Sequence, residues 1–129
     1  MYRLIINIQD SLLKLSLSGS PEPSELQRIF SKIENARGQF KQGYRLWIRL
    51  PENLRTVQLD EPGKLDLMVY TGKANGLQKV VIEAPPKCPA TKKVVALLHS
   101  IYKGLNVPIN LVNDKAEALK SLGLLWRKV

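Results

Sequence analysis

Residues 2–19 of the chain read YRLIINIQDSLLKLSLSG. Through residues 2–9 every second side chain is apolar, and the intervening ones are polar except at Ile5, which is typical of a strand with one strongly apolar face. Asp10-Ser11 supplies a turn, and leucines then alternate with polar residues from Leu13 to Gly19. The stretch therefore predicts an antiparallel hairpin. The apolar face of its first strand is expected to carry Tyr2, Leu4, Ile6 and Ile8.

The segment after the hairpin is typical of an amphipathic helix. Either Ser20 or Ser24 is a suitable N-cap, apolar residues recur at helical spacing, and the helix is expected to end near Gly38. Residues 44–50 then predict a third strand, because β-prone residues alternate there and Pro51 stops the run. A helix between two strands implies a parallel crossover.

The middle of the chain predicts two more crossovers. A helix is expected over about residues 63–76, and a strand over residues 65–71 is the competing interpretation. Residues 79–84 are typical of a strand that is buried on both faces. A strongly amphipathic helix follows over about residues 89–103, and residues 108–112 predict the last strand.

The last helix has the spacing of a capping box, because Asp114 precedes Glu117 by three residues. It is expected to run to about Leu122, with a partly loose tail beyond. The predicted order is ββαβαβαβα, which indicates a single α/β domain over residues 1–129 with a mixed sheet. If the strand order steps in one direction, the crossover helices lie on one side, and the other face is left lightly covered as a natural interface.

The net charge favours anionic partners. There are 20 Lys and Arg against 11 Asp and Glu, which gives +9 and suits nucleic acid, phosphorylated ligands, anionic membranes or acidic proteins. Cys88 is the single cysteine, so an internal disulfide is impossible. The sequence shows neither an apolar run of membrane-spanning length nor the pattern of a signal peptide. We therefore expect a cytoplasmic protein.

Two short motifs carry a resemblance to a known family. The predicted third strand is followed by Asp60-Glu61-Pro62-Gly63, and the last helix contains Glu117-Ala118-Leu119. With the element order over residues 2–124, these motifs make the chain resemble the STAS family, which includes bacterial anti-sigma factor antagonists. The resemblance implies a regulatory module that docks to a partner protein. The partner-binding residues that it implies are Asp60, Glu61, Pro62, Gly63 and Lys64.

The chain departs from the family pattern at the regulatory position. In the family the turn usually reads Asp-Ser-Ser-Gly, and a partner kinase phosphorylates the second serine to break the complex. Here Pro62 occupies that position and Glu61 replaces the first serine, so the hydroxyl that the switch requires is missing. The amides of this turn still suit an anion, but Asp60 and Glu61 are more simply explained as capping carboxylates that bind the same amides.

A basic nucleic-acid-binding domain is the second hypothesis. Arg45 and Arg49 flank Trp47 on one face of the predicted third strand, and Arg55 follows nearby. Basic and aromatic side chains in such a mixture bind single-stranded nucleic acid. The competing interpretation is a sheet face on which arginine stems pack over Trp47, and such a face also suits a protein partner or a homodimer.

No arrangement of residues in the sequence supports catalysis. His99 is the only histidine, and its position on a predicted helix favours ordinary surface placement. Cys88, beside Lys87, is most simply a loop cysteine, and a cysteine-based metal site would need more ligands. We therefore expect a protein that is not an enzyme and uses neither a metal nor a cofactor.

Overall fold

The computed structural model describes residues 2–18, 23–40, 42–51, 76–84 and 89–123. Within these ranges the chain forms five strands and three helices in the order ββαββαβα. The segment 63–75, predicted as a helix or in part as a strand, lies outside the described residues. No helix in the described ranges is long and apolar enough to cross a lipid bilayer.

The strands lie side by side in chain order. The first two strands pair antiparallel, and the second to fifth strands are parallel to one another. The predicted α/β class, the mixed sheet and the N-terminal hairpin are therefore confirmed. The five strands are β1 (Tyr2–Asn7), β2 (Leu12–Leu17), β3 (Tyr44–Arg49), β4 (Leu77–Glu83) and β5 (Ile109–Val112).

The hairpin turn begins earlier than the sequence pattern predicts. β1 ends at Asn7, whose side-chain oxygen accepts a 3.1 Å hydrogen bond from the backbone N–H of Asp10. This local bond closes a turn over residues 8–11, in which Ser11 takes a left-handed φ of 50°. Ile8 therefore belongs to the turn and is 56% exposed, so its predicted place on the apolar face is wrong.

The first helix, α1 (Pro23–Arg37), begins with proline, whose fixed φ suits the first helical turn. Ser24 thus lies inside the helix and is not its N-cap, while Ser20 lies outside the described residues. After the helix, the ring of Phe40 stacks on that of Tyr44 with a centroid distance of 5.4 Å. This contact joins the end of α1 to the start of β3.

Two glycines set the starts of β3 and β4. The N–H of Tyr44 donates a 2.8 Å hydrogen bond to the carbonyl of Gly76. Gly43 and Gly76 both have φ near +90°, at 95° and 91°. A Cβ on Gly43 would lie only 2.7 Å from the carbonyl oxygen of Gly76, so this close approach requires glycine.

Both described crossover helices pack on one face of the sheet, called the crossover face below. Ile29 and Ile33 of α1 and Leu98 and Tyr102 of α2 (Pro89–Gly104) belong to one buried cluster. The outcome follows the prediction for a strand order that steps in one direction. The strands contribute Leu13, Leu15, Leu46, Ile48, Val80 and Ile82 to this cluster.

The opposite face carries the third helix, α3 (Lys115–Ser121). Ala118 and Leu122 pack there against Trp47 and Val81, so this face is covered more than the crossover rule predicts. The predicted cap is confirmed, because the Asp114 side chain accepts a 2.8 Å bond from the N–H of Glu117. The Glu117 carboxylate in turn accepts from the N–H of Asn113, at 2.7 Å.

Candidate functional site

The outer edge of β1 is the most exposed apolar part of the described surface near the hairpin. β1 is the end strand of the sheet, and its outer backbone pairs with no other described strand. Ile5 is 39% exposed and Ile6 is 41% exposed, on opposite faces of this strand. Folded proteins usually protect such an edge, because it offers unpaired N–H and C=O groups to another chain.

A groove of about 460 Å³ runs beside this edge on the crossover face. Its floor is the apolar face of β1, and its wall is the polar side of α1. The Nζ of Lys32 lies 5.0 Å from the ring centroid of Tyr2, at one side of the groove. The lining residues are Tyr2, Leu4, Ile6, Lys32, Asn35, Ala36 and Gln39. An extended segment laid along β1 would therefore meet both an unpaired backbone and an apolar floor.

The opposite face presents a row of aligned residues across four strands. Arg3 pairs in register with Ser16, Ser16 with Arg49, and Arg49 with Glu83. We call Arg3, Ser16, Arg49 and Glu83 the arginine row. The neighbouring row along the same strands begins with Ile5, Lys14 and Trp47.

Glu83, at the end of the arginine row, is bound by two donors, Trp47 and Arg49. It is 6% exposed, its Oε1 accepts a 3.2 Å hydrogen bond from Trp47 Nε1, and its Oε2 lies 3.2 Å from Arg49 Nε. A buried carboxylate needs such partners, since its desolvation is costly. Both carboxylate oxygens of Glu83 therefore have partners, and a structural role explains this residue well.

Lys14 is surrounded by like charges. Its Nζ lies 4.1 Å from the ring centroid of Trp47. Burial, followed by the charges of Lys115 and Arg49, lowers the pKa of Lys14, and Arg3 acts in the same direction. Glu83 opposes this effect. We call Arg3, Lys14, Arg49 and Lys115 the basic cluster.

Arg45 and Lys79 bind the end of α3. Arg45 donates to the backbone carbonyl of Leu122 and, at 2.6 Å, to that of Asp10. Lys79 donates a 2.7 Å hydrogen bond to the carbonyl of Ser121. Cations at a helix C-terminus satisfy its last carbonyls and complement the helix dipole. These two side chains therefore have a structural explanation.

The predicted site residues fall into two groups. The proposed partner-binding residues 60–64 lie outside the described residues, as do Arg55 and Cys88. Arg45, Trp47 and Arg49 do share one face, but Trp47 is 0% exposed and offers no ring surface to a nucleic-acid base. The Nζ of Lys14 lies over the Trp47 ring.

The structure also places the single histidine of the chain. His99 is exposed on α2, as expected of a surface histidine. Within the described residues no group of His, Cys, Asp and Glu side chains is arranged to hold a metal ion. The sequence reasoning missed Arg3, Lys14 and Lys115, because their proximity depends on strand register and on the placement of α3. The alternation around Arg3 and Lys14 was the only available signal, and it places them on the polar side of the hairpin.

No family model matches the chain, and no curated protein matches it in a sequence search. The two surfaces described above, the β1 edge and the basic cluster, are therefore the basis for assigning a function.

Proposed function

We propose that the chain is a non-catalytic regulatory module of the STAS-like class that docks to another protein. The hairpin followed by parallel strands in sequential order supports this proposal, because it agrees with the element order that the STAS resemblance implies. The docking region implied by that resemblance is residues 60–64. The fold is used by proteins of many functions, so evidence for docking has to come from the surface of this chain.

The observation that carries the proposal is the apolar outer edge of β1, which pairs with no strand among the described residues. Ile5 and Ile6 of β1 are 39% and 41% exposed, and Ile8 in the adjoining turn is 56% exposed. Strand addition at a sheet edge gives affinity through backbone hydrogen bonds and specificity through alternate side chains. The partner would contribute an extended segment, with apolar side chains directed into the groove between β1 and α1.

The experiment is affinity capture from a lysate of the source cells, at moderate and high salt and with nuclease treatment. Ile6→Lys places a charge on the floor of the groove, at a site that is already 41% exposed. Leu111→Lys is the matched control, because Leu111 is 58% exposed on β5, the opposite edge strand. We expect one protein that survives salt and nuclease, is lost with Ile6→Lys and is retained with Leu111→Lys.

Recovery of material that nuclease or salt removes would instead favour the nucleic-acid hypothesis. Equal retention by both variants would reject β1 as the docking edge. If the captured protein is an untagged copy of the same chain, the docking is homodimeric. Asp60→Lys, tested in parallel, reports whether residues 60–64 contribute to the same complex.

The proposed module works without a serine switch, since Pro62 has no hydroxyl. Thr56 is the only hydroxyl-bearing residue between positions 56 and 64. Incubation with kinases from the source cells, followed by phosphate mapping, is expected to leave this segment unmodified. Stoichiometric phosphate on Thr56 would overturn that part of the proposal.

A further inference from the structure

Ser16 is the shortest side chain of the arginine row, and we call the position above it, between Arg3 and Arg49, the notch. Arg3 and Arg49 flank this small residue on the two neighbouring strands, so their backbones are roughly 10 Å apart at the usual strand spacing. Lys14 stands two residues before Ser16 on the same strand and on the same face. Three basic residues therefore share one face of the sheet with a half-buried position whose own side chain is short and carries a hydroxyl.

Within the ranges that the structure describes, the charge around this notch is poorly compensated. Glu83 is the one carboxylate of the arginine row, and it is already bonded to Trp47 and Arg49. Among the described residues, no carboxylate forms an ion pair with Arg3, Lys14 or Lys115. The mutual repulsion of the basic cluster is consistent with this imbalance, since it lowers the pKa of Lys14. An added anion would relieve that repulsion.

We propose that the notch formed by Arg3, Lys14, Ser16 and Arg49 binds carboxylate side chains of an acidic segment of the partner protein. The inference rests on the proposed docking function and names the chemistry of the partner. Arginine suits this role, because its planar guanidinium donates to a carboxylate in a fixed geometry. Arg49 uses its Nε towards Glu83, and an arginine has four further N–H donors.

The position of the notch favours a protein segment over a nucleic acid. Arg3 belongs to β1, so the notch is continuous with the unpaired edge at which an extended segment would add. Alternate side chains of such a strand would lie on the same face as Arg3. A nucleic acid would find a buried Trp47 in place of a stacking platform, so its bases would have no aromatic ring to stack on.

The test uses fluorescence anisotropy with a short labelled peptide of alternating glutamate and threonine. The comparison ligands are the same peptide with glutamine in place of glutamate, and a single-stranded oligothymidylate of equal charge. The double variant Arg3→Gln/Lys14→Gln removes two charges from the notch. Lys103→Gln/Lys120→Gln is the matched control, since both of these lysines are exposed and lie outside the basic cluster. Thermal unfolding of all variants verifies that they are folded.

We expect the notch variant to bind the glutamate peptide about tenfold more weakly, as two surface charge pairs together are worth roughly that factor. The control variant should stay within about twofold of the wild type. In the wild-type protein, the peptide should shift the backbone amide resonances of Arg3, Ser16 and Arg49. This readout does not depend on the folding of any variant.

Three results would overturn the inference: no binding of the glutamate peptide, equal loss in both double variants, or tighter notch-dependent binding of the oligonucleotide. If lysate capture still depends on Ile6 in any of these cases, the docking function stands and only the acidic occupant is rejected. If Ile6-dependent capture fails, the docking function itself fails, whatever the peptide does.

Discussion

The indole of Trp47 donates a buried 3.2 Å hydrogen bond to the carboxylate of Glu83, which lies on the adjoining strand two residues beyond Val81, the register partner of Trp47. Arg49 binds the other carboxylate oxygen from the edge of the same site, at 3.2 Å. Trp47 is 0% exposed and Glu83 is 6% exposed, so both polar groups depend on these protein partners. The contact joins β3 to β4 beneath the basic cluster.

This hydrogen bond predicts a measurable coupling between its two partners. Trp47→Phe removes the donor, and Glu83→Met removes the acceptor while keeping a similar volume. Each single variant leaves a buried polar group without its hydrogen-bond partner, whereas the double variant has apolar side chains at both positions 47 and 83. Chemical denaturation should therefore show a double-variant cost smaller than the sum of the single costs by about 0.5–3 kcal/mol. Additivity within about 0.5 kcal/mol would contradict the assignment.

Arg45 is predicted to stabilise the fold by binding the C-terminal end of α3. Arg45→Met keeps the apolar stem but removes the donors to the carbonyls of Leu122 and Asp10. The expected cost is about 1.5–3 kcal/mol of unfolding free energy, with faster amide hydrogen exchange confined to α3 and the hairpin turn. Lys103→Met serves as a control, because Lys103 is exposed on α2. If Arg45→Met lowered the unfolding free energy no more than Lys103→Met does, the predicted structural role of Arg45 would be contradicted.

The turn before β3 is predicted to tolerate only glycine at position 43. Gly43→Ala would place a Cβ 2.7 Å from the carbonyl oxygen of Gly76, at a φ of 95°. The expected cost is about 1–3 kcal/mol, read from the midpoint of chemical unfolding. Gly38→Ala is the matched comparison, since its Cβ would meet only the Asn35 carbonyl at 3.8 Å. Equal stability of the two variants would show that the backbone relaxes without cost.

The pKa of Lys14 is predicted to lie below its ordinary value of 10.5. Burial and the cations Lys115, Arg49 and Arg3 disfavour its charged form, and Glu83 offsets this in part. The unfolded chain then binds more protons in the window between the lowered pKa and 10.5, so Lys14 makes stability rise with pH there.

Two measurements test this prediction. An NMR titration of the Lys14 side chain gives the pKa directly. Unfolding free energies of the wild type and of Lys14→Met, compared through the same window, should shift in favour of the wild type as the pH increases. Lys103→Met should show no comparable trend. A Lys14 pKa at or above 10.5 would contradict the predicted electrostatics of the basic cluster.

Local patterns predicted most of the elements. The alternating leucines of β2 gave the hairpin, and the Asp114 and Glu117 pair gave the start of α3, because caps and side-chain periods depend on residues close in sequence. Element ends were less accurate. β1 ends at Asn7 because a side-chain hydrogen bond to Asp10 closes the turn, and alternation continues past that residue without showing it.

The sequence by itself determined the α/β class, the hairpin and the apolar stripe of each described helix. Apolar residues that recur every two or every 3.6 positions are visible among residues close in sequence. Only the tertiary structure decided that Lys14 lies over Trp47, that Arg45 reaches Leu122 and that Ile6 lies on the end strand of the described sheet. These relations depend on strand order and register, which are set by the packing of segments far apart in the chain. A local pattern places a side chain on a face, and the pairing of distant strands decides its neighbours.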